Sequence, residues 1–103
     1  MMETIQHMVI FDLIHAVESP LTDKFLKDGL TILSQIPGVK NFQVYNQISP
    51  KNDFTYGFSM NFDHAADFES YNSHPAHVSF VQDRWMKEVA RFQEIDFKSL
   101  IVR

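Results

Sequence analysis

From Phe54 to Phe62 the chain alternates without a break. Phe54, Tyr56, Phe58, Met60 and Phe62 fall on one side, and Thr55, Gly57, Ser59 and Asn61 on the other. A period of two sustained this long predicts a strand and is incompatible with a helical stripe. His7 to His15 is β-branched and apolar enough to predict a second strand, buried largely on both faces. One of its faces carries His7, Val9, Phe11, Leu13 and His15; the other carries Met8, Ile10, Asp12 and Ile14. Ser19-Pro20 then breaks the strand and Thr22 is placed to cap a helix. From Asp23 to Ile36 the positions Phe25, Leu26, Leu30, Leu33 and Ile36 recur at helical spacing, and Pro37-Gly38 ends that helix. Val39 to Ile48 predicts a strand, closed by the turn residues Ser49-Pro50-Lys51-Asn52-Asp53. Asp63 caps a short predicted helix from about His64 to Tyr71, and His74-Pro75 interrupts it, because proline disfavours helical geometry in the residue before it. A longer helix follows from about Ala76 to Val89, with Val78, Val81, Trp85 and Val89 as its inner stripe. Phe92 to Phe97 is the last strand.

The order β-α-β-β-α-β predicts an α+β, ferredoxin-like domain: a four-stranded antiparallel sheet with helices on one face. The second sheet face is semi-polar, with Met8, Ile10, Asp12, Ile14, Thr55, Gly57, Ser59 and Asn61. It suits a partner sheet or water, and a second copy of the chain is the simplest cover. Asp12, on that face, is expected to pair across such a dimer or to sit in a wet interior. The 103 residues leave room for one domain, 1–103, with a core of about 7–97.

Composition narrows the partners. The net charge of −4 and the scattering of nine Lys and Arg residues provide no basic stripe, which argues against nucleic acid. With no cysteine, thiolate chemistry and Cys-based metal sites are excluded. The first six residues carry neither a basic nor an apolar leader pattern, and no run approaches the roughly 18 apolar residues of a membrane span. The expectation is a soluble cytoplasmic protein without membrane contact.

The candidate chemistry lies in Tyr71-Asn72-Ser73-His74-Pro75-Ala76-His77, where a phenol and two imidazoles stand just ahead of an amphipathic stretch. These side chains pass protons near neutral pH. This segment, the opening His-Met-Val-Ile-Phe, the turn Leu33-Ser34-Gln35-Ile36-Pro37-Gly38-Val39 and the closing Phe92-Gln93-Glu94-Ile95-Asp96-Phe97 together resemble the stress-responsive A/B barrel (Dabb) domain of the dimeric α+β barrel superfamily. The resemblance spans about residues 7 to 97. It implies two ferredoxin-like protomers whose sheets close into one dimeric α/β barrel. It implies activity less directly, since one fold hosts many functions and most members have no established reaction. A plant member that the chain resembles is a polyketide cyclase, in which the residue matching His77 acts as base and the one matching Tyr71 assists. Its first-strand histidine is matched by His7. Its third-strand histidine is replaced here by Tyr56, and a glycine frequent late in the second strand is replaced by Tyr45. Related barrels hold haem through a histidine in the same cleft, for which His77 is the matching position. Nothing in this chain requires haem, and no cofactor is expected.

A site between sheet and helices would bring His7 and Tyr56 opposite Tyr71 and His77. His77 is then the candidate base and Tyr71 the candidate donor, which suffices for a ring closure or an enolisation. Phe11, Phe54, Phe58 and Trp85 are the expected apolar lining for a flat aromatic ligand. A structural reading stands beside this one. In it His74-Pro75 is a helix break, His77 hydrogen-bonds a strand carbonyl, and Tyr71 plugs the core with its hydroxyl wet. His15 and His64, near element ends, are expected to be solvated. His74 and His77 are three apart, but Pro75 interrupts the helix between them and two imidazoles do not complete a metal shell, so no metal is expected.

Two functions follow. The first is a homodimeric binding protein of unestablished activity with a small-molecule cleft. The second is a cofactor-independent cyclase, isomerase or small monooxygenase acting on an aromatic or polyketide-like compound. A void of roughly 300 Å³ or more, reached from solvent, favours the enzyme, and a smaller one counts against it.

Overall fold

The computed structural model describes residues 4–102. Met1–Glu3, on which part of the leader reading falls, and Arg103 lie outside the described residues.

Strand β1 spans Ile5–Leu13 and alternates strictly between buried and half-buried residues. The face carrying His7, Val9, Phe11 and Leu13 is the buried one, as its polarity predicts. β1 is central because its two edges are taken by β3 (Tyr56–Phe62) and β4 (Val89–Lys98), both antiparallel. β2 (Lys40–Asn46) adds to the far side of β3, and the sheet order is β2-β3-β1-β4. β3 is buried on both faces. Tyr45 stands directly across from Gly57 and sends its ring over that glycine, where its hydroxyl accepts from Ser59 Oγ at 3.0 Å. The large ring at position 45 therefore covers the sheet face turned away from the helices.

β3 begins two residues later than the alternation predicts. The Thr55 backbone N–H and hydroxyl both donate to the Asp12 carboxylate, at 2.8 and 2.7 Å. Phe54, beyond that point, leaves the strand and lies under the Arg91 guanidinium, 4.2 Å from its ring centre. Arg91 Nε also donates to Asp12 at 2.6 Å, so Asp12 is paired within its own chain. Burial alone would raise the Asp12 carboxyl; the donors on Thr55 and Arg91 outweigh it and hold the carboxyl below its ordinary value.

Helix α1 (Pro20–Leu33) starts earlier than predicted. Ser19 is its cap, with Oγ accepting from the Leu21 N–H at 3.1 Å, and Pro20 takes the first turn, where its missing N–H costs nothing. Thr22 is buried instead, its hydroxyl donating to the Ala16 carbonyl at 2.8 Å. Thr22, Phe25, Gly29 and Leu33 form the buried stripe, and Leu30 faces outward.

Helix α2 (Ala65–Ser73) is entered through His64, because Asp63 pairs with Lys40 across the sheet edge rather than capping. The long helix predicted after it is built in three pieces: α3 (Pro75–Phe80), a π-helical turn (Val81–Trp85) and α4 (Met86–Glu88). The π turn inserts an extra residue per turn and so shifts the buried face. Phe80 goes inward, Val78 is exposed, and Val89 is already the first residue of β4. Arg84, within the π turn, donates to Asp28 on α1 at 2.7 Å and to Glu88 at 2.6 Å. Glu88 also meets His15 Nε2 at 2.8 Å, so His15 is held at a salt-bridge cluster and not merely solvated.

The core is aromatic. Phe11, Phe25, Phe58 and Phe62 are fully buried, each contributing about 1.5–3 kcal/mol by burial. Phe11 lies 4.8 Å from Phe58 and 4.9 Å from Trp85, centroid to centroid. On the opposite sheet face Ile95, Phe97 and Tyr45 remain roughly half exposed. Among the described residues, no helix is long and apolar enough to cross a membrane.

Gly29 lets α1 settle onto the Phe58 ring. A β-carbon there would stand 2.8 Å from Phe58 Cζ. Gly29→Ala gains about 1 kcal/mol of helix propensity but overpacks the core by about 1–3 kcal/mol, so a net loss is expected. A lower urea midpoint checks this; an unchanged or higher one would mean that Phe58 swings aside freely.

Candidate functional site

Pro75 excludes helical geometry at His74, whose ψ of 135° is extended. The chain turns there, and the His74 imidazole serves the new helix, its Nδ1 accepting from the Ala76 N–H at 3.1 Å. The turn brings the last full turn of α2 against the first turn of α3. The Tyr71 and His77 rings face one another at 4.4 Å between centres. His77 Nδ1 lies 3.1 Å from the Asn72 carbonyl oxygen. A carbonyl only accepts, so Nδ1 carries the proton in this contact, and Nε2 of a neutral His77 is left as the acceptor.

These two rings bound a cavity of about 220 Å³ between sheet and helices. The sheet supplies His7 and Val9 from β1, Phe58 and Met60 from β3, and Phe92 and Glu94 from β4. The helical side supplies Leu33 together with Phe80, and the π turn contributes both Val81 and Trp85. His7 is buried, 6.2 Å from the Tyr71 ring, and its Nδ1 meets Asp96 Oδ1 at 2.5 Å across the β1–β4 ladder.

Burial sets the protonation states. Tyr71 is 2% exposed, and burial pushes its phenol far above the ordinary value, with Glu94 adding in the same direction. Tyr71 is therefore a donor throughout the physiological range. Burial lowers His77, as does His7, while the Asn72 carbonyl and Glu94 pull the other way; the net shift is downward. Near neutral pH His77 is an uncharged imidazole.

Of the residues singled out in the sequence, the cavity gathers His77, Tyr71, His7, Phe58 and Trp85. Phe11, Tyr56 and Phe54 lie elsewhere. Phe11 is sealed in the core behind Phe58 and Trp85, and Phe54 is held under Arg91. Tyr56, two residues along β3 from Phe58, packs against Phe11 at 5.8 Å. Its buried hydroxyl lacks a well-formed hydrogen bond, since the neighbouring Thr22 hydroxyl donates to Ala16, and burial raises its phenol. His77 bonds a helix carbonyl and not a strand one. His74 is occupied in capping. The polar residues that sequence reasoning missed are Asn72, Glu94 and Asp96. For the last two a signal existed: Phe92, Glu94 and Asp96 share one parity in the last strand.

The family model described as Stress responsive A/B Barrel Domain (Dabb) matches residues 5–99. A stress-response A/B barrel domain-containing protein of Arabidopsis thaliana is 31% identical over 80 residues, covering 73% of this chain and 68% of the relative. The solved structure of a Dabb family protein with a ferredoxin-like fold from Mesorhizobium loti is similar at 49% identity. It has a TM-score of 0.94, with 95% of this chain and 98% of that chain covered. The hydroxynitrile lyase of Passiflora edulis shares the fold, with a TM-score of 0.82 over 98% of this chain and 97% of that chain; at 15% identity the likeness is one of fold alone.

A lowered His77 makes the unfolded chain the better proton acceptor. Relative to His77→Gln, wild-type stability should therefore be full above the ordinary histidine value of 6.5 and fall as the pH drops from there through the folded value. An NMR titration of the His77 ring should have its midpoint below 6.5. A midpoint at or above that value would mean that the Asn72 carbonyl and Glu94 outweigh burial.

Proposed function

The chain belongs to the stress responsive A/B barrel (Dabb) domain family, and from that premise we propose that it is a homodimeric binding protein for a small aromatic ligand. The observation that carries this reading is the cavity itself, in which neutral His77, the Tyr71 hydroxyl and His7 converge within an aromatic wall. Its volume of about 220 Å³ falls below the roughly 300 Å³ at which drug-sized sites begin. It suits a ligand of one ring and a short polar arm. The Tyr71 O–H donates to a carbonyl or hydroxyl oxygen of that ligand, and His77 Nε2 accepts from a donor on it.

The dimer rests on the face turned away from the cavity. Ile95 and Phe97 on β4 are about half exposed, beside Met8 and Ile10 on β1 and the Tyr45 ring. β4 is also an edge of the sheet. A second copy laid on this face and edge removes both liabilities at once.

A second reading is favoured by one observation, the Nδ1–H contact to Asn72 that leaves Nε2 of His77 as a base. In it, Nε2 takes a proton from a carbon next to a carbonyl, the electron pair moves onto the carbonyl oxygen, and the Tyr71 O–H stabilises the enolate. The retained Tyr71 and His77 of the cyclase-like pattern belong to this reading.

Phenylacetone, a neutral one-ring ketone with an activated C–H, separates the two readings. Trp85 is the single tryptophan and lines the cavity, so its fluorescence reports occupancy. Millimolar phenylacetone is expected to change that emission in the wild type and not in a cavity-filling Val81→Phe variant; an equal response in both would remove the cavity as the site. Exchange of the activated C–H in D2O, faster than in buffer and lost in His77→Ala, would move the assignment from binding to catalysis.

The dimer has its own test. Light scattering at micromolar concentration is expected to give twice the chain mass, and Ile95→Glu with Phe97→Glu about the chain mass. A monomeric wild type would sink it.

A further inference from the structure

We propose that Glu94 sets the charge preference of this cavity, so that the ligand it selects is a small aromatic amine in its protonated form and carboxylates are excluded. The inference rests on the ligand-binding reading of the same cavity and adds what chemistry fills it.

Glu94 projects from β4 on the parity of Phe92 and Asp96, toward the helices, whereas Ile95 and Phe97 point to the opposite face. It stands across the ladder from Val9 and lines the cavity. No lysine or arginine joins it there; the remaining ionisable lining groups are His7, Tyr71 and His77. His7 is matched to Asp96, His77 to the Asn72 carbonyl, and Tyr71 keeps its proton. Among the described residues, no hydrogen bond or ion pair holds the Glu94 carboxylate. It is thus the one acidic group of the cavity without a partner, at the rim of an apolar space.

The walls reinforce that sign. Phe58, Phe80, Trp85 and Phe92 present rings to the same space, and an aromatic face attracts a cation. A ligand that closes the cavity removes water from around Glu94. An ammonium group compensates the carboxylate through a charge-assisted hydrogen bond. A hydroxyl compensates it in part. A ligand carboxylate leaves two like charges facing each other at the rim, and their repulsion disfavours it. Neutral His77 offers such an anion no opposing charge near pH 7.

Three probes of one shape test this: 2-phenylethylamine, 2-phenylethanol and phenylacetate, each titrated at pH 7.4 with Trp85 fluorescence and protein NMR shifts as readouts. The amine is expected to bind at least tenfold more tightly than phenylacetate, with the alcohol between them. Glu94→Gln should bring the three to within about threefold of one another, and Glu94→Asp, which keeps the charge, should restore the order. Glu94 is exposed on an edge strand, and unchanged thermal unfolding of both variants confirms that they are folded. Phenylacetate bound by the wild type as tightly as the amine, or an order that survives Glu94→Gln, overturns the proposal while binding stands. The amine and the alcohol bound equally overturns the ion pair. If none of the three probes reaches the cavity, the binding reading itself falls and takes this inference with it.

Discussion

The site depends on one stereochemical constraint: a residue followed by proline avoids helical geometry. Pro75 holds His74 extended, and the helix that would otherwise continue from α2 is restarted at an angle. Without that joint, Tyr71 and His77 would lie six positions apart on one helix, a spacing that turns them toward different sides of it. With it, their rings stand 4.4 Å apart and the Asn72 carbonyl is presented to His77. His74 makes the break inexpensive by capping the new helix with its own ring.

What the joint aims, burial then tunes. Tyr71 and His77 are shifted in opposite directions by the same cause, because removing water disfavours the charged form of each. The result is a phenol that keeps its proton beside an imidazole that is ready to accept one. The π turn carries out the remaining shaping. Val81 and Trp85, which share a face at this spacing, line the cavity from within it, and Arg84 ties that wall to Asp28 on α1.

Strand β4 divides its labour by parity. Phe92, Glu94 and Asp96 serve the helix side, with cavity wall, unpaired charge and His7 partner in turn. Ile95 and Phe97 serve the opposite face, where they are left open. A one-residue slip against β1 would exchange the two sets, placing apolar side chains in the site and carboxylates on the apolar face. The ladder of β1 with β4 is thus a functional as well as a structural register.

Much of this was legible in the residues. The unbroken alternation of β3, the polarity of β1, the His74-Pro75 break and the pairing of Tyr71 with His77 are local properties, and local sterics and periodicity suffice for them. The helix stripes were legible only approximately. Ser19 and Thr22 both qualify as caps, and Gly29 takes the buried face in place of Leu30 where α1 comes against the Phe58 ring. Nothing local announces the π turn, so the stripe through Val78 and Val89 drifts off the face that is buried. The lining roles expected for Phe11, Phe54 and Tyr56 rested on strand parity, and none of the three reaches the cavity. Parity, however, assigns a face and not a position along it, and the cavity opens at the His7 end of the sheet. The sequence by itself determined which side chains share a face and where the chain must break. The tertiary structure alone decided which of them meet, His7 with Asp96, His77 with Asn72 and Glu94 with the cavity, because register and helix approach are set by contacts between residues far apart in the chain.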